Sequence, residues 1–214
     1  MFYFHSFLFT LVHKVKFLLV VFFLLVHHLA AQSNYKIPLQ RGKELLEKGD
    51  FKNAVIEFEI SYEMEQFTET LVLKATAKRL NNDLKGALED YDKLIELEKN
   101  NAIFYNNRGN LKDELLEASQ ALLDYNQAIT LKPDYKNAYY NRAIAYYHLE
   151  EWQNSKDDFL KVLTLEPNDK EAFFGLGLVN IKLNQKEEGC KALKKAQDLG
   201  VEDAKIELEK NKCQ

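Results

Sequence analysis

Along most of the chain, apolar residues recur three and four positions apart and are interrupted at regular places by short polar stretches, which is the periodicity of amphipathic helices. Aligned on a small residue in every second stretch, the chain reads Ala54, Ala87, Ala121, Ser155 and Gly189, at intervals of 33, 34, 34 and 34 residues. Four positions after each comes a large residue: Phe58, Tyr91, Tyr125, Phe159 and Leu193. Residues four apart share one helix face, so the small residue admits a neighbouring helix and the large one fills the space beside it. The stretch "YNNRG" at 105–109 returns as "YYNRA" at 139–143, and Pro133 returns as Pro167, in the same frame. A fixed period of this length marks one supersecondary unit stacked several times.

The polar interruptions divide each unit into a helical hairpin. "EKGDF", "NNDL" and "EEW" separate the two periodic stretches within their units. "LKPD" and "LEPND" separate one unit from the next, because proline cannot continue a helix but tolerates its first turn. The spacing predicts five units, at 35–67, 68–101, 102–135, 136–169 and 170–200. A last helix over 201–214 follows, with Ala204, Ile206 and Leu208 available to cover the apolar end of the stack. Leu, Lys, Glu and Ala dominate, so propensity agrees with an all-α fold.

The unit resembles the tetratricopeptide repeat, a 34-residue helix-turn-helix. Its markers read here as Gly42 and Gly109 at the small position of the first helix, with Ala75, Ala143 and Gly177 as equivalents. Gly49-Asp50-Phe51 stands at the turn, with Trp152 matching Phe51, and Pro133 and Pro167 end their units. The resemblance covers residues 35–203 and implies a right-handed α-solenoid. It also implies a concave groove, lined by first helices, that takes an extended peptide. The positions it assigns to that groove are Asn106, Asn107, Asn110, Tyr140, Asn141, Ile144, Tyr147, Phe174 and Leu178. Asparagine can pair with a peptide backbone, and aromatic rings supply contact area at low entropy cost. Tyr105 and Tyr139 are expected to serve packing, and Arg108 and Arg142 to pair with acids of adjacent helices. The carboxylate clamp known in this family is absent: Asn110 and Asn141 fill its asparagine positions, but Asn106, Glu171 and Gly175 stand where it needs cations.

The first 31 residues differ in kind. They carry no acid, and Lys14 and Lys16 precede the apolar run Phe17–Val26 and then Ala30-Ala31, the layout of a secretory signal cleaved near Gln32. The alternative is an uncleaved membrane anchor, although the run is shorter than the roughly 20 residues that span a bilayer. Cleavage removes two lysines and takes the net charge from −4 to −6. An acidic domain repels polyanions, which argues against nucleic acid or an anionic membrane surface as partner.

Little catalytic chemistry is written in the remainder. Four of five histidines lie in the first 31 residues, leaving His148, and a Ser-His-Asp or Cys-His arrangement is therefore poorly supported. One histidine and two distant cysteines do not make a tetrahedral metal set, and "GLG" at 175–177 falls inside a helix rather than in a phosphate loop. No metal, cofactor or small-molecule substrate is implied. Cys190 and Cys213 flank Gly200 at similar distances, so antiparallel helices would bring them to similar heights, as a disulfide in an oxidising compartment or as two free thiols. The C-terminal "GCKALKKAQDLG" with its later "KC" resembles extracytoplasmic repeat proteins of the Bacteroidetes. The expected function is that of a non-catalytic adaptor, periplasmic or secreted, binding a protein segment. The alternatives are a membrane-anchored assembly subunit of the cell envelope and an accessory part of a cell-wall enzyme.

Overall fold

A computed structural model describes residues 35–213 together with residues 21 and 22. Lys14, Lys16, Ala30-Ala31 and most of the N-terminal apolar run therefore lie outside the described residues. Between residues 35 and 213 the chain forms helices α1 (Lys36–Glu47), α2 (Phe51–Met64), α3 (Thr68–Leu80), α4 (Leu84–Leu97), α5 (Ala102–Glu114), α6 (Ala118–Leu131), α7 (Lys136–His148), α8 (Trp152–Leu165), α9 (Lys170–Lys182), α10 (Lys186–Asp198) and α11 (Glu202–Lys210). They fall into two compact units, one through Asn82 holding α1–α3 and one from Asp83 onward holding α4–α11. Among the described residues, no helix is long and apolar enough to cross a membrane.

The turns inside the hairpins share one conformation. Gly49 has φ +77°, and Asn82, Leu116, Glu150 and Asn184, spaced at the repeat interval, have φ 63°, 63°, 60° and 59°. A left-handed residue there reverses the chain and lets the next amide reach back five residues along the helix end. Asp50 N thus donates to Leu45 O, Glu117 N to Lys112 O, Glu151 N to Tyr146 O and Gln185 N to Asn180 O, at 2.8–2.9 Å. After two of these turns an acid caps the following helix, Asp50 and Asp83 accepting from the amides of Asn53 and Gly86, and between repeats Asp169 accepts from that of Ala172.

Hairpins close on a small-against-large contact sixteen residues apart. A Cβ on Gly42 would lie 2.6 Å from the Phe58 ring, one on Gly109 2.6 Å from the Tyr125 ring, and one on Gly177 2.6 Å from Leu193 Cγ. Ala143 and Phe159 occupy the same places in the fourth repeat and are fully buried. "GLG" is indeed mid-helix: Gly175 makes room for the Phe159 ring and Gly177 for Leu193, so α9 packs between α8 and α10. Within the second unit each helix from α4 to α11 packs on the next, and α5 also touches α7 as α7 touches α9. This is the packing of an α-solenoid, with first helices side by side.

At the C-terminal end Ala204 is fully buried and Leu208 half-buried. Ile206, expected to pack, is 62% exposed, because two residues beyond Ala204 a helix has turned about 200° away. Cys190 on α10 and Cys213 after α11 form a disulfide with Cα atoms 5.5 Å apart.

Candidate functional site

The element Tyr-x-Asn-Arg-small sits at the junction of three helices. Arg108 on α5 grips Asp124 of α6 with two bonds, from Nε at 2.9 Å and Nη2 at 2.6 Å, and reaches Asp92 of α4 with Nη1 at 2.8 Å. Lys112 adds a second cation to Asp124 at 2.7 Å. One repeat later Arg142 grips Asp158 the same way, at 2.7 Å from both Nε and Nη2, and donates to Asn126 of α6. Both guanidinium groups lie over tyrosine rings, Arg108 at 5.6 Å from Tyr105 and Arg142 at 5.5 Å from Tyr139. The hydrogen bonds it donates to Asp124 hold the Arg108 guanidinium above its ordinary pKa, although burial works against it. Asp92 and Asp124 escaped the sequence reading, and Asp158, which beside Asp157 reads as part of a solvated helix face, is instead 5% exposed; the signal for all three was there, since each lies sixteen residues from its arginine. The fifth repeat carries Leu176 and Ala192 in those places, both buried.

Beside this junction the asparagines form a ladder. Asn106 is 3% exposed, donates to Asn107 Oδ1 at 3.3 Å and accepts from Asn141 Nδ2 at 3.0 Å. Asn107 Nδ2 donates to the Tyr91 hydroxyl at 3.1 Å, and the Tyr125 hydroxyl donates to Asn110 Oδ1 at 2.9 Å. Asn106 was expected to face a ligand; buried as it is, it orients Asn141 instead. Asn107, Asn110 and Asn141 are half-buried, and one or two bonds to each leave hydrogen-bonding capacity on a carboxamide that has four sites.

The aromatic half of the candidate surface is shared with the core. Tyr140, Ile144 and Tyr147 of α7 pack against the buried cluster of Ala143, Phe159, Val162, Ala172, Leu176, Val179 and Ala192. Tyr140 meets Phe159 edge-on at 5.8 Å, and Tyr147 meets Trp152 at 5.0 Å, with Lys182 over the Trp152 ring. Phe174 and Leu178 are half-buried on α9. Burial raises the Tyr147 phenol, helped by Glu207 of α11 and opposed by Lys210, so α11 brings charge to this end of α7. Burial likewise raises Tyr140, with Glu171 and Asp169 adding to the shift. His148 ends α7 and is exposed; burial raises the Asp113 carboxyl, and the nearby His148 opposes that rise. Among the described residues, no group of three His, Cys, Asp or Glu is placed to hold a metal ion. A cleft of about 660 Å³ opens beside the disulfide, lined by Cys190, Cys213, Lys191, Lys194, Lys205 and Leu208 among others, a feature the sequence did not announce.

Comparison with known proteins accords with this architecture. Residues 137–169 and 171–199 each match a family model described as the tetratricopeptide repeat. A tetratricopeptide repeat protein from Parabacteroides merdae superposes with a TM-score of 0.73 at 21% identity, over 83% of this chain and 73% of its own. MamA from Desulfovibrio magneticus gives 0.70 at 19% identity over 77% and 94%, and YrrB gives 0.65 at 15% over 81% and 90%. At these identities the likeness establishes the fold. Comparison with curated proteins returns no match.

Proposed function

We infer, from a chain that belongs to the tetratricopeptide repeat family, that it is a non-catalytic adaptor whose second unit binds an extended protein segment along α5, α7 and α9. The observation that carries this reading is the lateral contact of those three helices, which sets half-buried Asn107, Asn110 and Asn141 beside Tyr140, Ile144, Tyr147, Phe174 and Leu178. Carboxamides with spare donors and acceptors suit a peptide backbone, and the neighbouring apolar side chains suit its alternate residues. YrrB, of like fold, is titled a protein with an unusual peptide-binding site. The adaptor acts outside the cytoplasm, a reading supported by the signal-like N-terminus and the Cys190–Cys213 disulfide. A membrane-anchored assembly subunit is the second reading, favoured by the apolar run Phe17–Val26; recovery of residues 1–31 in the mature protein decides for it.

The binding test uses the segment recovered from a pull-down of the exported protein and measures its affinity by calorimetry. Asn141→Ala and Phe174→Ala should each weaken binding by about 1–3 kcal/mol, with helical content intact by circular dichroism. Unchanged affinity in both variants moves the site off α7 and α9.

A further inference from the structure

On the outer side of α2, Ile56 and Ile60 are apolar where most of their counterparts in the other repeats are polar, and Met64 lies at a place that is apolar in every repeat. Ile56, Ile60 and Met64 are 50%, 39% and 47% exposed. Spaced four residues apart, they form one stripe about 12 Å long. The repeat frame sets Glu89 and Lys93, Leu123 and Gln127, Asp157 and Lys161, and Lys191 and Lys195 at the places of Ile56 and Ile60. Hairpin packing therefore does not ask for apolar groups there. Two exposed charges border the stripe, Lys52 near its start and Glu63 near its end, and neither is in an ion pair among the described residues. At 100° per residue they project within about 20° of each other, on the same edge.

We propose that this stripe is a self-association surface, on which α2 of one copy lies antiparallel to α2 of a second. In an antiparallel pair related by a two-fold axis, each edge of one helix meets the same edge of the other. With the axis near residue 58, Ile56 of each copy faces Ile60 of its mate, and Lys52 comes level with Met64, beside Glu63. Both ends then gain a Lys52–Glu63 bridge. A parallel pair would set Lys52 level with Lys52 and form neither. Glu57, on the opposite edge, meets its own copy, and a single stripe buries less than the roughly 1,600 Å² of a standard interface, so the dimer is weak and concentration-dependent. This surface belongs to the first unit and does not depend on the groove reading.

Sedimentation velocity on the full chain as its own processing leaves it, in detergent if residues 1–31 are retained, should show a reversible dimer. Ile60→Ser should abolish it. Lys52→Glu and Glu63→Lys should each weaken it by about tenfold, through loss of attraction and gain of repulsion at both bridges, and the double variant K52E/E63K should recover the parent affinity. Circular dichroism checks that these exposed substitutions leave the helices intact. A chain that is monomeric at every concentration, a dimer indifferent to Ile60→Ser, or a double variant as weak as the singles would each overturn the proposal.

Discussion

Leu116 shows what the repeat demands of a single residue. It joins α5 to α6 at φ 63° with 93% of its surface exposed, where the first repeat uses Gly49. The left-handed conformation costs an L-residue about 1–2 kcal/mol through crowding of its Cβ, and nothing here packs on the side chain in return. Leu116→Gly should relieve that strain while losing about 0.5–1 kcal/mol to the greater freedom of glycine in the unfolded chain. A net gain of about 0.5 kcal/mol is expected, read as a higher denaturation midpoint at unchanged slope. A lower midpoint would mean that Leu116 contributes contacts the turn needs. Asn106 makes the complementary point. Its position in the frame was legible, but its burial was not, because whether a carboxamide faces solvent or bonds to Asn141 depends on the spacing of α5 and α7.

At the scale of elements, the hairpins and their periodic contacts could be read directly. Small-to-large steps such as Gly109 to Tyr125 recur in the pattern, and only helices of that length and offset satisfy them. The arginine junctions were half legible: Arg108 and Arg142 asked for acids, but their partners sit on helices both before and after them. Ile206 misled, since a nine-residue helix with one fully buried residue has too little pattern to fix its rotation. The junctions also yield a prediction. Arg142→Leu alone strands the Asp158 carboxylate, whose side chain is 7% exposed, and should destabilise by about 2–4 kcal/mol. Adding Asp158→Ala reproduces the Leu176 and Ala192 pair of the fifth repeat and should recover most of that loss. Chemical denaturation of the single and double variants measures both, and a double variant no better than the single would show that the ion pair fixes the position of α7 in a way an apolar pair cannot.

For the whole molecule, the same local logic governs how the chain ends and how it could change length. α11 is short and lightly buried, so the Cys190–Cys213 link, spanning 23 residues, carries much of its attachment. Reduction should lower stability by about 3 kcal/mol in the chain-entropy model, seen as a lower melting temperature in reductant; an unchanged melting temperature would show that α11 holds by packing alone. The hairpin contacts described above, from Gly42 with Phe58 to Gly177 with Leu193, each join residues sixteen apart, and the Asn106–Asn141 bond spans 35. No link of this kind needs a distant part of the chain, so contact order is low and folding can begin in any hairpin. A deletion or duplication of 34 residues within 102–169 would re-create the same set of neighbours at its join, whereas a change that is not a whole multiple of 34 would shift the small and large positions out of register.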